Sequence, residues 1–189
     1  MSEFTGDLDL LSSLDLQLLE TDVKTMLDSE KQLKEILNEI LNWIEYKSRN
    51  DILTSILLYN NETTQLFSGA APSLPDRYSN TISGMKAGPV AGSCGTAAFF
   101  HKQVIVDDIA TDPLWENYKS YALVEGLRSC WSTPIFNAED ELLGTFALYY
   151  TEARQPTVHD LELIDEIVEV TASAIEEREE DFKKMIGSN

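Results

Sequence analysis

The chain has 189 residues, 43% of them hydrophobic, and a formal net charge of −19 at pH 7. This apolar content is enough for a folded core and too high for a disordered chain. The acidic excess excludes general affinity for nucleic acid or for an anionic membrane surface, because neutralising phosphates requires a basic face. A small anionic ligand is still allowed, since local backbone dipoles can hold one inside an acidic protein.

Targeting and metal-binding signals are missing from the sequence. It contains no run of about 18 apolar residues, and MSEFTGDLDLL at the start has no basic region, so we expect a cytoplasmic protein without membrane insertion. The cysteines are Cys94 and Cys130, with no CxxC motif or Cys/His cluster. They form neither a disulfide scaffold nor a zinc site, and no metal is expected. We interpret both as small apolar wall residues.

The first 48 residues are predicted to be helical. Residues 8–27 are apolar and acidic, and residues 28–48 carry apolar side chains at alternating steps of three and four. This spacing is typical of a heptad seam with about 3.5 residues per turn. The seam can face a partner helix, or it can pack on the chain's own domain. We assign residues 1–29 to an N-terminal helical extension.

The middle of the chain alternates between strand and short-helix patterns. Aliphatic and β-branched runs predict strands, and turn signals such as Asn60–Asn61 separate them. Strands are predicted over 51–60, 63–70, 103–109, 128–136 and 141–150, and helices over 76–84, 95–100 and 114–126.

The last segment is predicted to be one long helix over residues 159–186. Its apolar seam weakens after Ile175, where EEREED is almost entirely charged. That portion cannot bury itself on its own domain, so it is either a solvated end or a connector. We expect residues 181–189 to end a connector helix that leads to an output domain outside this chain.

The order of elements predicts the fold class. Strands follow strands, so the sheet should be antiparallel and the class α+β. The terminal helices would lie side by side on one face of the sheet. Short helices and loops of residues 70–126 would cover the other face and enclose a pocket.

The stretch GSCGTAAFF, residues 92–100, is the strongest candidate for a binding motif. A glycine-rich turn frees backbone N–H groups, and the start of a helix adds partial positive charge, so the two together can hold an anion. The alternative is a tight turn in which Ser93 or Thr96 caps the helix.

Three blocks of the sequence resemble the GAF sensor-domain family. They are GPVAGSCGTAAFFHKQVIVDDIATDPLW (88–115), GLRSCWSTPIF (126–136) and ELLGTFALYY (141–150), and the resemblance extends over residues 30–180. The sequence is similar to the GAF modules of bacterial diguanylate cyclases, phosphodiesterases and histidine kinases. The resemblance implies a GAF domain with an antiparallel sheet, a ligand pocket on one face, and helices on the other that often pair in a homodimer.

The resemblance also implies where a ligand lies, namely between the sheet and its covering segments. Cyclic nucleotides are the family's best known ligands, and we expect cAMP before cGMP, with the phosphate at the glycine-rich helix start. Asp108 can accept from a base or ribose, or it can cap the following turn. Strand register is not fixed by sequence, so either Ser132 or Thr133 can face the ligand. The candidate ligand residues are Ser93, Cys94, Gly95, Thr96, Asp108, Ile109, Ala110, Thr111, Trp115, Ser132 and Thr133.

Aromatic side chains could supply a flat surface for a base or chromophore, or they could belong to the core. They are Trp115, Tyr118, Tyr121 and Trp131.

Departures from known subfamilies narrow the function. No Cys–His pair suits a bilin, and the Asn-Lys-Phe-Asp-Glu signature of mammalian phosphodiesterases is absent. Cys94 lies in a block like that of free methionine sulfoxide reductases, but Cys130 does not match their other cysteines. We therefore expect a non-catalytic regulatory domain with no bound cofactor, controlling an output domain such as a diguanylate cyclase. The alternatives are a dimerisation module with a vestigial pocket and a reductase-like enzyme.

Overall fold

The computed structural model describes residue 8 and residues 11–49 and 51–187. The helices within these residues are α1 (Ser13–Leu27), α2 (Leu33–Lys47), α3 (Asp76–Ile82), α4 (Gly92–Phe100), α5 (Lys119–Val124), α6 (Val158–Glu177) and α7 (Glu179–Met185). The strands are β1 (Leu53–Asn60), β2 (Gln65–Ala70), β3 (Met85–Lys86), β4 (Val104–Val106), β5 (Ser129–Phe136) and β6 (Leu142–Tyr150). A 3-10 turn spans Pro113–Trp115.

Capping residues define where two of the terminal helices begin. Ser12 precedes α1, and its hydroxyl accepts from the Asp15 N–H while the Asp15 carboxylate accepts from the Ser12 N–H. Thr157 and Asp160 form the same reciprocal pair at the start of α6. Each pair satisfies two N–H groups that would otherwise lack acceptors.

The strands form one antiparallel sheet in the order β3-β2-β1-β6-β5-β4. The predicted α+β class with an antiparallel sheet is confirmed. The central strand β6 pairs with β1 and β5. At Gly144 of β6, an added Cβ would lie 2.1 Å from the carbonyl oxygen of Leu57 on β1. The two backbones can approach closely there because glycine has no side chain.

Each face of the sheet has its own core. Along β6, Phe146 and Leu148 pack with residues of α1, α2 and α6, whereas Ala147 and Tyr149 pack with residues of α3, α4 and the 3-10 turn. This alternation follows the period of two along a strand. The terminal helices therefore cover one face and the short helices cover the other, as predicted.

The predicted single C-terminal helix is broken at Arg178, whose φ is −118° and ψ is 40°. The guanidinium turns toward the α1–α2 connection, where it donates to the carbonyls of Leu27 (2.7 Å), Ser29 (2.9 Å) and Lys31 (3.1 Å). Three charge-assisted hydrogen bonds offset the local loss of helical geometry. The helical pattern around residue 178 does not indicate this distant partner.

Two other elements differ from the prediction. The helix expected over 114–126 is divided into the 3-10 turn and α5, and Trp115 at the end of the turn is buried. Strand β3 was not predicted, because two residues carry too little pattern. In the described part of the chain, no helix has both the length and the apolar character needed to cross a membrane.

The described part of the predicted extension, α1, packs on α2 and α6. Residues 1–7, 9 and 10 of that extension, and residues 188–189 of the predicted connector end, lie outside the described residues.

Candidate functional site

A small cavity lies between the sheet and the short helices. Its volume is about 10 Å³, which is roughly the space that one water molecule needs. It is lined by Tyr78, Ile82, Met85, Ala91, Gly92, Ser93, Cys94, Trp115, Tyr118 and Tyr149. We call α3, the 3-10 turn and α5, which cover this cavity and its surroundings, the lid.

Aromatic side chains fill most of the space under the lid. Tyr78 on α3 meets Tyr149 on β6 edge to face, with ring centroids 5.9 Å apart. Trp115 is 3% exposed, and Tyr118 is half-buried beside it. Four of the ten lining residues are therefore aromatic, and the few polar groups among the ten have to be considered individually.

The glycines of the 92–100 stretch have two different structural roles. Gly92 begins α4 with a φ of +61°, a conformation that favours glycine. At Gly95 an added Cβ would lie 2.6 Å from the Cβ of Ala91 and 3.0 Å from the Cε of Met85, so close packing requires glycine. The first-turn N–H groups of α4 have no acceptor within the helix, as at any helix start.

The hydroxyls of this stretch are engaged within the protein. Ser93 is fully buried, donates to the carbonyl of Cys130 at 3.0 Å and accepts from the indole Nε1 of Trp115 at 3.1 Å. The Thr96 hydroxyl accepts from the Ala91 N–H at 3.1 Å. These side chains join α4 to β5, to the lid and to its own entry turn.

The 108–111 segment supports the lid and does not line the cavity. The Asp108 carboxylate accepts from the Ala110 N–H at 3.1 Å and pairs with Arg128 at 3.0 Å. Hydrogen bonding from that N–H, followed by Arg128, lowers the pKa of Asp108. Ile109 is buried in the core on this face, while Thr111 is exposed. Asp112 then caps the 3-10 turn.

The alternation along strand β5 places the two candidates Ser132 and Thr133 on opposite faces of the sheet. Cys130 packs in the core under the lid and Trp131 in the core under the terminal helices. By alternation Ser132 shares the face of Cys130, whereas Thr133 lies on the opposite face and accepts from the Gln103 amide at 2.9 Å. The hydroxyl of Ser132 has no hydrogen-bond partner within the described residues.

The two cysteines are free, buried thiols that interact with each other. Hydrogen bonding from Cys130, with help from the Tyr149 hydroxyl, outweighs burial and lowers the pKa of Cys94. Burial and the neighbouring Cys94 raise the pKa of Cys130. In the described part of the chain, no group of three or more His, Cys, Asp or Glu side chains could hold a metal ion.

Sequence reasoning found only some of the residues that line the cavity. Of the eleven candidate ligand residues, the cavity brings together Ser93, Cys94 and Trp115. The tyrosines Tyr78 and Tyr149 were missed, although the alternation of Ala147 and Tyr149 with larger helix-facing residues on β6 is a signal that could have indicated the latter. Of the aromatic candidates, Tyr118 lines the cavity and Trp131 lies on the other face, with its ring centroid 4.7 Å from that of Tyr150.

Comparison with known proteins identifies the family to which this architecture belongs. The model of the GAF domain family matches residues 30–176. A methyl sulfide methyltransferase-associated sensor of Methanosarcina acetivorans is 36% identical over 162 residues, which are 86% of this chain and 16% of that protein. The chain thus spans about a sixth of the length of this relative.

Solved structures with low sequence identity share the fold. Free methionine-R-sulfoxide reductase from Neisseria meningitidis, solved with its substrate, has a TM-score of 0.68 at 16% identity and covers 90% of this chain and 95% of its own. The GAF domain of an Acinetobacter phosphoenolpyruvate-protein phosphotransferase scores 0.66 at 12% identity, covering 94% and 99%. The phycoerythrobilin-bound GAF domain of a cyanobacterial phytochrome scores 0.66 at 18%, covering 89% and 98%.

Proposed function

Because the chain belongs to the GAF domain family, we propose that it is a regulatory sensor domain that binds a small molecule beneath the lid and controls an output domain. The observation that supports this proposal is that the two faces of the sheet are covered by different parts of the chain. An aromatic cavity lies on one face, and helices from both ends of the chain lie on the other. A change on the lid side can reach the terminal helices through strands that contact both.

A buried carboxylate supports this coupling. Glu45 on α2 is 2% exposed and accepts from the N–H (2.8 Å) and hydroxyl (2.7 Å) of Thr54 on β1. Its other oxygen accepts from the hydroxyl of Ser73, in the loop that leads into α3. A terminal helix and the loop that precedes the lid therefore share one hydrogen-bonded group. Movement of that loop together with α3 alters the surroundings of a carboxyl group that has been removed from water, which is energetically costly.

A second connection between the cavity and the terminal helices runs through β5. Ser93 at the cavity bonds to the backbone of Cys130, and the next residue, Trp131, packs under the terminal helices and donates to the carbonyl of Arg154 at 3.1 Å. A ligand that binds one lid arrangement better than another shifts the population by its difference in affinity. Adjacent residues of β5 would pass that shift across the sheet.

A cyclic nucleotide, cAMP before cGMP, is the first ligand that we propose. The N-terminus of α4 supplies partial positive charge for a phosphate, and Trp115 and Tyr118 supply surfaces for a base. Binding requires the lid to move, because ligand pockets commonly measure about 300–1,000 Å³ and this cavity measures about 10 Å³. An outer depression between α3 and α5, lined by Arg77, Tyr78 and Glu125 among others, offers a route.

Thermal unfolding with cAMP, cGMP and the non-cyclic control 5′-AMP tests this proposal. A cyclic nucleotide at a hundred times its Kd should stabilise the protein by about 2.7 kcal/mol. Tyr118→Ala should weaken binding about tenfold or more through lost stacking, whereas Tyr46→Ala, on exposed α2 surface, should leave affinity unchanged. Stabilisation by 5′-AMP alone, or by no nucleotide, would reject the cyclic-nucleotide assignment.

A second candidate is a dimerisation module with a vestigial pocket. It is favoured by the small cavity and by apolar side chains that protrude from the terminal helices, namely Leu14 (65% exposed), Leu18 (54%) and Tyr46 (74%). Both candidates include a homodimer through these helices. A dimer that forms in light-scattering measurements and is insensitive to nucleotides, haem and amino acids would favour this second candidate.

We propose that the domain itself is non-catalytic and that its output domain is of the diguanylate cyclase type. The reductase of the same fold defines the remaining enzyme candidate. Thiol-dependent reduction of free methionine sulfoxide by the purified chain would establish that activity, and the absence of turnover would support the regulatory assignment.

A further inference from the structure

Cys94 and Cys130 meet beneath the lid, from α4 and from β5. Both thiols are free and buried in the core under the lid, and Cys130 lies opposite Tyr149 on β6, whose hydroxyl is 3.8 Å from the sulfur of Cys94. The backbone between them is fixed, since Ser93 donates to the carbonyl of Cys130 at 3.0 Å. We propose that these two residues form a thiol pair that a small hydroperoxide oxidises to a Cys94–Cys130 disulfide. This inference does not depend on whether the domain binds a nucleotide.

Hydroxyl groups around Cys94 provide an independent observation. The hydroxyls of Ser132 and Thr145 are fully buried and have no hydrogen-bond partner within the described residues. By alternation along their strands both lie on the lid face of the sheet, with Cys130 and Tyr149, and the Tyr149 hydroxyl lies 3.8 Å from the sulfur of Cys94. Buried hydroxyls usually have an acceptor. A thiolate at Cys94 would be the acceptor that these donors lack.

The surroundings shift the pKa values of the two thiols in opposite directions. Hydrogen bonds from Cys130 and the Tyr149 hydroxyl lower the pKa of Cys94, whereas burial raises the pKa of Cys130. The titratable groups that face the pair are the phenols of Tyr78 and Tyr149, and burial raises their pKa values too. Cys94, which lines the cavity whereas Cys130 does not, is therefore the attacking thiolate, and Cys130 remains a thiol that can resolve the product.

The size of the cavity selects the oxidant. Cys94 is 5% exposed and lines a space of about 10 Å³, whereas Cys130 is fully buried. Hydrogen peroxide is only slightly larger than the water molecule that such a space holds. Larger oxidants, such as glutathione disulfide, need a much wider lid opening. The substrate class is thus a hydroperoxide with a very small substituent or none.

The reaction balances in two steps. The Cys94 thiolate attacks one peroxide oxygen and the O–O bond breaks, giving Cys94 sulfenic acid and a hydroxide that takes up a proton and leaves as water. The sulfur of Cys130 then attacks the sulfenic sulfur. Its proton leaves with the sulfenic hydroxyl as a second water molecule, and the S–S bond forms. Two thiols are oxidised, and one peroxide is reduced to two waters.

Mass spectrometry of the intact native protein after treatment with hydrogen peroxide tests the proposal. We expect the mass to fall by that of two hydrogen atoms, both thiols to become unreactive towards maleimide, and dithiothreitol to restore them. In Cys130→Ser, dimedone should trap a sulfenic acid on Cys94. In Cys94→Ser, Cys130 should stay reduced because it is buried and protonated.

Two matched serine variants distinguish the effect of a hydroxyl donor near Cys94 from a general effect of removing a buried hydroxyl from β5. Ser132→Ala should slow oxidation severalfold and move its pH dependence to higher pH, because the thiolate loses a donor. Ser129→Ala removes another buried, unpartnered hydroxyl from the opposite face of β5 and should leave the rate unchanged. The proposal is overturned if the folded wild type keeps both thiols reduced at a peroxide concentration that oxidises the urea-unfolded chain. It is also overturned if the two serine variants change the oxidation rate equally and the oxidised protein contains no Cys94–Cys130 disulfide.

Discussion

The indole Nε1 of Trp115 donates to the hydroxyl of Ser93 at 3.1 Å, and both residues are almost completely buried. The bond joins the 3-10 turn of the lid to the first turn of α4. Ser93 in turn donates to β5 at Cys130. One hydroxyl therefore connects the lid, α4 and the sheet, and opening of the lid has to break or rearrange this connection.

Ser93→Ala should destabilise the protein by about 1–3 kcal/mol, because the indole N–H and the Cys130 carbonyl both lose a buried partner. Urea unfolding measures the change, and tryptophan emission should shift as the surroundings of Trp115 change. Ser173→Ala removes an exposed helical hydroxyl and should have little effect. Equal stability of the Ser93 variant and the wild type would show that water replaces the bond.

Arg77→Gln should loosen the lid without unfolding it. Arg77 on α3 donates to Glu125, just beyond α5, at 2.8 Å, but its side chain is 69% exposed. Such a pair contributes only about 0–1 kcal/mol. We expect faster hydrogen exchange in α3 and α5 at nearly unchanged global stability. Lys24→Gln, which breaks an exposed pair on α1, should leave the lid's exchange rates unchanged.

The Asp15–Lys47 pair should make the packing of α1 on α2 sensitive to acid. The hydrogen bond from Lys47, at 2.7 Å, is the main cause that lowers the pKa of Asp15 from 3.8 to about 2. A lowered pKa in the folded state means that the stabilisation is complete above about pH 4 and is lost as the pH falls towards about 2.

In Lys47→Met, the pKa of Asp15 followed by NMR should rise towards its ordinary value. The stability difference from wild type should shrink as the pH falls from about 4 to about 2. Lys183→Met, which breaks an exposed pair on α7, should not move the titration of Asp15. An unchanged Asp15 titration in Lys47→Met would contradict this account.

Arg178→Met should release the α1–α2 connection from the end of α6. The methionine keeps an apolar stem but leaves the carbonyls of Leu27, Ser29 and Lys31 without their charged donor. We expect a loss of about 2 kcal/mol and faster hydrogen exchange in the last turn of α1. Lys184→Met changes a cation that is 73% exposed and should be nearly neutral. Continuous helical protection across position 178 in the wild type would contradict the break.

Gly144→Ala should be among the most damaging single substitutions in the chain. The new methyl would lie 2.1 Å from the Leu57 carbonyl oxygen, so β1 and β6 would have to separate. We expect a loss of about 3 kcal/mol or more. Gly88→Ala, whose methyl would meet only the Ala91 Cβ at 3.8 Å, is the matched control. Similar melting temperatures for the two variants would refute the close approach.

The main strands and helices were predictable because each depends on patterns within a few residues. The alternation in ELLGTFALYY predicts β6, and it also assigns Tyr149 to one face and Tyr150 to the other. The predicted division of the sheet faces follows from the order of strands and helices. Glycine chemistry at Gly92 likewise predicts a turn, and the structure has a positive φ there.

The break at Arg178, the pairing of Trp115 with Ser93 and the meeting of Cys94 with Cys130 were not predictable. Each depends on residues far apart in the chain, brought together by the folding of the sheet and helices.

The sequence by itself determined the fold class, the family and the position of the glycine-rich start of α4, because periodicity, turn residues and local charge act over short distances. Only the tertiary structure decided how much space remains beneath the lid, which hydroxyls are already engaged and which groups surround the two thiols. Those properties depend on distances of a few ångströms between separate elements, and side-chain volume and burial set them after the chain has folded.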